Sequence, residues 1–134
     1  MKNFNAVLAF FVLFVLVFSF GCLQTQENST GVSKVSVTII SDTNEVWFSG
    51  SSDFNKGLNA FDAMKQLLGE QNISYDSYDF GVFVKGFMGR ETPNDYFWSL
   101  SVNGSSADKG ISSYSLDYDT NFSWELKKLE SYPN

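Results

Sequence analysis

The sequence predicts an α+β fold in which one amphipathic helix packs on one face of a mixed sheet of about four to six strands. Two observations carry this prediction. Several segments have the composition and two-residue period of strands, and a single segment after the first two strands has the three- and four-residue spacing of a helix. The order strand, strand, helix and then further strands is typical of the β-grasp arrangement.

The first two strands form a predicted hairpin. Val35, Val37 and Ile39 alternate with residues on the opposite face, which is the period of a strand. Residues 42–44 (Asp-Thr-Asn) are typical of a turn, and residues 45–49 then form the returning strand.

The helix is predicted to begin after Asn59, because asparagine is a favoured N-cap residue. The apolar residues that follow lie at helical spacing, and they are Ala60, Phe61, Met64, Leu67 and Leu68. The pattern ends near residues 69–72, so we expect one short helix with one apolar face.

The second half of the chain is predicted to consist mostly of strands. The predicted segments are strands at 81–88 and 95–102, a short extended piece at 111–116 and a last strand at 121–126. Residues 89–94 form a loop, and Asn103-Gly104 is typical of a hairpin turn.

The strand at 95–102 has two different faces. Alternation places Tyr96, Trp98, Leu100 and Val102 on one face and Phe97, Ser99, Ser101 and Asn103 on the other. We expect the first face to meet the helix, which makes Trp98 a core residue. If Trp47 and either Phe83 or Phe87 share the second face with Phe97, they form an aromatic patch on the open side of the sheet; burial by loops or scattered exposure is the alternative.

An apolar leader precedes the folded part. Residues 6–20 contain Ser19 as their one polar residue, and this run is shorter than the roughly 20 residues that a transmembrane helix needs. We therefore predict a signal peptide over residues 1–21, with cleavage before Cys22.

Cys22 is the predicted lipid-attachment residue. Gly21-Cys22 resembles the end of a lipobox, although Ser19 and Phe20 depart from its usual residues. The chain has one Cys and therefore no intramolecular disulfide. A lipoprotein anchored to the outer face of the membrane is the favoured prediction. Two alternatives stay open: a secreted protein with a free thiol, or a protein whose leader is retained as a membrane anchor.

The domain organisation follows from this leader. Residues 22–33 hold the anchor and a flexible tether, since residues 23–33 contain no aromatic side chain. Residues 34–129 form the predicted folded domain, and residues 130–134 form a tail. All alternatives place the domain outside the cytoplasm.

Composition excludes several classes of function. The chain has no His, so a Ser-His-Asp triad and a His-zinc site are excluded, and we expect no enzyme activity. The net charge of −6 and the pI near 4.4 argue against binding nucleic acid through phosphate contacts. No calcium-loop spacing occurs, so no metal or catalytic cofactor is predicted. Glycosylation at the sequons of Asn28, Asn72, Asn103 and Asn121 stays open.

One part of the sequence resembles a known family. The string Tyr96-Phe97-Trp98-Ser99-Leu100-Ser101-Val102-Asn103-Gly104, followed by Ala107, Gly110, Ile111, Tyr114 and Trp124, is similar to the C-terminal β-domain of transcobalamin and intrinsic factor. Related uncharacterised prokaryotic surface domains share this pattern. The helix start Asn59-Ala60-Phe61-Asp62-Ala63 also resembles theirs, and the similarity covers residues 35–127.

The resemblance implies a corrinoid ligand that meets the hairpin between Trp98 and Lys109. The residues that it implies for ligand binding are Phe97, Trp98, Leu100, Ser101, Ala107, Gly110 and Tyr114. The carriers have a bulky apolar residue where this chain has Ala107, a difference worth about 1–2 kcal/mol of apolar contact.

The sequence therefore predicts a non-catalytic binding module of the cell surface. Its partner is a cobalamin-like small molecule at the hairpin or, alternatively, a surface protein or glycan on the open face of the sheet, where Phe97 and Trp47 would matter most.

Overall fold

A computed structural model describes residues 31–130 of the chain. The leader, Cys22 and Asn28 lie outside the described residues, so the predicted cleavage and lipid attachment stay predictions. Between residues 31 and 130, the helices fall short of the length and hydropathy of a membrane-spanning helix.

The described chain forms two sheets and one helix. In chain order, the elements are β1 (Val32–Ile40), β2 (Val46–Asn55), α1 (Ala60–Leu68), β3 (Ile73–Tyr78), β4 (Gly81–Phe87), β5 (Arg90–Glu91), β6 (Tyr96–Val102), β7 (Ser105–Ser106) and β8 (Thr120–Lys128). Short 3₁₀ turns lie at Glu70–Asn72 and Ile111–Ser113. These elements confirm the predicted α+β class.

The larger sheet has five strands in the order β2-β1-β8-β6-β7. β1 is parallel to β8, and the other pairs are antiparallel, so the sheet is mixed, as predicted. The smaller sheet has the order β3-β4-β5 and is antiparallel. The sequence pattern predicted one sheet, whereas the structure has two.

The helix forms where the sequence predicts it. The Asn59 side chain accepts a hydrogen bond from the Phe61 N–H (2.9 Å), and Gly69 ends the helix with a φ of 86°. Five residues of its apolar face are buried, namely Ala60, Phe61, Ala63, Met64 and Leu68.

Replacing Asn59 with alanine is expected to lower the free energy of unfolding by about 1–2 kcal/mol. Besides capping the helix, Asn59 donates from Nδ2 to the carbonyl of Ser112 (2.7 Å) and so ties α1 to the second 3₁₀ turn. Urea unfolding followed by circular dichroism measures the loss. Gln66→Ala, at an exposed helix position, is the control. An equal loss in both variants would contradict the capping role.

The inner face of the larger sheet is covered by two different elements. The helix contacts β1 and β2, whereas β4 contacts β6. Phe87 at the end of β4 is fully buried, and its ring centroid lies 4.9 Å from that of Trp98 and 5.5 Å from that of Trp124. The prediction that this face of β6 meets the helix is therefore wrong, because the β3–β4 hairpin lies there instead.

Two predicted boundaries also differ from the structure. β1 begins at Val32, and the buried Ser33 donates from Oγ to the carbonyl of Leu116 (3.3 Å), so the predicted tether to residue 33 ends earlier. Residues 111–116 are not an extended piece. They begin with a 3₁₀ turn, and only Ser115 makes a bridge, with Asn59.

Candidate functional site

A groove of about 420 Å³ lies between the two sheets. Its walls are residues 82–84 of β4 and residues 97–100 of β6, and the loop at residues 106–111 closes one end together with Trp124. We call this feature the β4–β6 groove. An adjoining depression of about 350 Å³ shares Phe83, Val84, Phe97 and Trp98 with it and continues toward the loop at residues 91–95.

The groove is open because both strands lack a partner along it. β6 pairs with β8 on one side, but on its other side β7 covers only Ser101 and Val102. Likewise, β5 covers only Gly86 and Phe87 of β4. Within the described part of the chain, β6 is therefore a free strand edge at Trp98, whereas on β4 the Val82 N–H already donates to the Ser112 Oγ (3.0 Å).

The free edge of β6 presents backbone hydrogen-bonding groups to the groove. The Asn103 N–H donates to the carbonyl of Asn121 (2.8 Å). The backbone N–H and C=O groups of the odd-numbered residues of this strand therefore point toward β8. By alternation, the N–H and C=O of Trp98 and the N–H of Leu100 point toward the groove. The Leu100 carbonyl points the same way and accepts from the Ala107 N–H (2.9 Å), which holds the loop against the strand.

Aromatic side chains form the mouth and the floor of the groove. Phe83 and Phe97 lie at the mouth, where they are 59% and 39% exposed. Trp98 and Trp124 line the floor, with Phe87 packed between them and beneath the groove. The site is therefore a slot with aromatic side chains, peptide groups along one wall, and Asp108 and Lys109 in the loop at its end.

The loop at the end of the groove is fixed by Tyr114. Its hydroxyl donates to the Asp108 carboxylate (2.8 Å), and the Lys109 ammonium lies 4.6 Å from the centroid of its ring. Burial, and next the hydrogen bond to Asp108, raise the pKa of Tyr114 above its usual value. The Tyr114 ring also packs edge-on against Phe122, at 6.0 Å.

The structure brings five of the seven predicted ligand residues together. Phe97, Trp98, Leu100, Ala107 and Gly110 all line the β4–β6 groove, whereas Ser101 and Tyr114 do not. Ser101 pairs with Ser106 beyond the end of the groove, and Tyr114 supports the loop from behind. A ligand contact by any of them stays a prediction.

The wall that β4 contributes to the groove was not predicted from the sequence. Val82, Phe83 and Val84 line the groove, but only Phe83 was considered, and for a different surface. The period of two in residues 81–87 predicts the strand, yet it contains no signal for which other strand this one faces.

The predicted aromatic patch on the open face is wrong. Trp47 packs edge-on against Trp98 on the covered face (5.8 Å), and the Arg90 guanidinium lies 4.3 Å from the centroid of a Trp47 ring. Phe87 is fully buried, and Phe83 lies with Phe97 in the groove instead. The alternative partner on the open face thus loses its aromatic support.

The described residues contain no group of three or more His, Cys, Asp or Glu side chains that could hold a metal ion. Asp117 and Asp119, which form an Asp-x-Asp pair in the sequence, are both exposed. The Asp119 carboxylate accepts a hydrogen bond from the Lys34 N–H (2.8 Å), which is a structural contact between the start of β1 and the turn before β8.

Fold and site together define a small β-grasp domain with a groove between its two sheets. Residues 57–128, more than half of the chain, match the family described as a domain of unknown function (DUF4430), and the chain belongs to this family. No curated protein matches the chain.

Two solved structures show the same fold. Haptocorrin in complex with Cbi has a TM-score of 0.63 and 16% sequence identity, over 82% of this chain and 29% of the haptocorrin chain. A candidate metal-binding protein from Ruminococcus gnavus has a TM-score of 0.56 and 14% identity, over 75% of this chain and 99% of that chain. These likenesses confirm, at the level of the fold, the resemblance to the transcobalamin-like family.

Proposed function

We propose that this protein is a non-catalytic binding module whose β4–β6 groove takes one edge of a flat, amide-bearing small molecule of the corrinoid class. We further propose that lipid on Cys22 holds it on the outer face of the membrane. The observation that carries the ligand proposal is the combination of aromatic floor, aromatic mouth and free peptide groups in one slot.

The chemistry of the groove suits such a ligand. A corrinoid has an apolar ring with amide side chains around its rim, so it needs both apolar contact and hydrogen-bonding partners. Phe97 and Trp98 supply apolar surface, and the N–H and C=O of Trp98 together with the N–H of Leu100 can pair with amides. Ligand sites in proteins usually combine mostly apolar walls with a few such polar groups.

The size of the groove limits what it covers. At about 420 Å³, or with the adjoining 350 Å³, it is large enough for part of a corrinoid and open on its outer side. The similarity to the haptocorrin fold supports this proposal, with the restriction that the chain spans only 29% of that protein.

The absence of catalysis and the extracytoplasmic location are supported by the sequence. A chain without His lacks the usual proton-transfer group of hydrolases, and the run at residues 6–20 followed by Cys22 is typical of an exported lipoprotein.

Titration of the full chain with cobinamide and cobalamin tests the ligand proposal. With the protein in a mild detergent, visible absorption and calorimetry are expected to show saturable binding at or below about 0.1 mM, about −5.5 kcal/mol. Ala107→Leu is expected to tighten binding by about 5- to 30-fold, because it restores roughly 1–2 kcal/mol of apolar contact at the groove.

Ser105→Leu is the matched control, since Ser105 is exposed in β7 and does not line the groove. Its affinity is expected to equal that of the unchanged protein. The proposal would be contradicted if about 0.1 mM ligand produced neither heat nor a spectral shift. It would also be contradicted if both leucine variants changed the affinity equally.

A further inference from the structure

We propose that two copies of this chain pair through the free edge of β2, antiparallel to each other, so that their larger sheets join into one continuous sheet. β2 is the terminal strand of the sheet, and the groove lies at the opposite edge, beside β6 and β7. Pairing through β2 therefore leaves the groove open in both copies.

The free edge of β2 has unused hydrogen-bonding groups. The Lys56 N–H donates to the carbonyl of Gly31 (2.7 Å) and so continues the β1–β2 hydrogen-bond ladder. The backbone N–H and C=O groups of the even-numbered residues of β2 therefore point toward β1. By alternation, the N–H and C=O groups of Ser49, Ser51 and Asp53 point away from the sheet. No strand among the described residues pairs with them.

This edge also lacks most of the features that keep strand edges apart in monomers. Those features are short strands, inward or edge lysines, prolines and bulges. β2 has ten residues and contains neither Lys nor Pro. The bulge at Trp47 lies near the start of β2, so the register with β1 is regular from Phe48 to Asn55, and Asp53 is the one charged residue of this stretch. At the other edge of the sheet, β7 has only two residues.

The side chains along the edge fit a second copy. Residues 49–52 are Ser-Gly-Ser-Ser, which are small enough to let another strand approach. A two-fold axis near Gly50 or Ser51 places Asp53 opposite Trp47 or Ser49 of the second copy, and not opposite its own counterpart. Like charges are therefore not brought face to face.

Charge favours the antiparallel arrangement. Glu45 precedes β2 and Lys56 follows it, and both are exposed. Antiparallel pairing brings the Glu45 end of one copy to the Lys56 end of the other, at both ends of the interface. A parallel arrangement would instead bring each charge near its own counterpart.

The mass of the full chain in a mild detergent, measured by light scattering across a concentration series, tests this proposal. We expect the protein mass to rise from one copy to two by about 0.5 mM, as for a weak interface. Ser51→Pro removes one outward N–H and keeps every bond to β1, so it should weaken the dimer by about tenfold or more. Its circular dichroism spectrum should not change.

Ser51→Ala is the matched control, because it changes the same side chain and keeps the N–H. Its dimer should be as strong as that of the unchanged chain.

Glu45→Lys and Lys56→Glu should each weaken the dimer, and the double variant should restore it. A single-copy mass at every concentration would overturn the proposal, and a different protein would then be the candidate partner of this edge. A dimer that is insensitive to Ser51→Pro, or not restored in the double variant, would overturn the assigned edge or its orientation.

Discussion

Replacing Phe87 with alanine is expected to lower the free energy of unfolding by about 3–5 kcal/mol. Phe87 has no exposed surface, and its ring contacts Trp98 and Trp124 of the larger sheet. Its removal leaves a cavity at the point where the smaller sheet packs on the larger one. Urea unfolding followed by tryptophan fluorescence measures the loss, since Trp98 and Trp124 flank the cavity.

Phe83→Ala is the control from the same strand. Phe83 is 59% exposed at the mouth of the groove, so its removal should change the free energy of unfolding by less than about 1 kcal/mol. Equal losses in the two variants would mean that Phe87 does not hold the two sheets together.

Gly86→Ala is expected to be the second strongly destabilising change, by about 3 kcal/mol. A Cβ at this position would lie 2.3 Å from the Arg90 carbonyl oxygen and 3.0 Å from the Glu91 Cα. Both are backbone atoms of β5, so they move only if β5 separates from β4. The midpoint of urea unfolding measures the effect.

Gly110→Ala is the matched glycine control. Gly110 has a φ of −69°, and the nearest atom to its added Cβ is the Val82 carbonyl oxygen at 3.7 Å. This variant should therefore unfold within about 0.5 kcal/mol of the unchanged protein. A comparably small loss for Gly86→Ala would refute the close approach of β5 to Gly86.

The elements that local pattern determines could be predicted from the sequence. Asn59 and the helical spacing after it predicted α1, and the period of two around Trp98 and Trp124 predicted β6 and β8. β3 was not predicted because Ser74, Asp76 and Ser77 interrupt its apolar residues and because β4 is the one strand that it pairs with among the described residues. Its strand conformation depends on a tertiary contact that a local pattern does not contain.

The candidate site could be predicted on one side only. The strand around Trp98 and the loop around Ala107 were identified through the family resemblance, whereas the β4 wall depends on how two sheets meet. Trp47 was placed on the wrong face for a related reason. The β1–β2 register shifts between Ile39 and Ile40, which leaves Trp47 as the extra residue, and a bulge of this kind redirects a side chain without a local sequence signal.

Mapping cobinamide on the protein by the chemical shifts of its backbone amides tests the proposed ligand site most directly. In ¹⁵N-labelled full chain, the proposal predicts that saturating cobinamide moves the amide signals of residues 97–100 and 106–111, together with Val82 and Phe83. The amides of Ser49 and Ser51 at the opposite edge should stay in place. Shifts that are absent, or that are concentrated on the open face at Ser36, Thr38 and Ser123, would contradict a ligand site between β4 and β6.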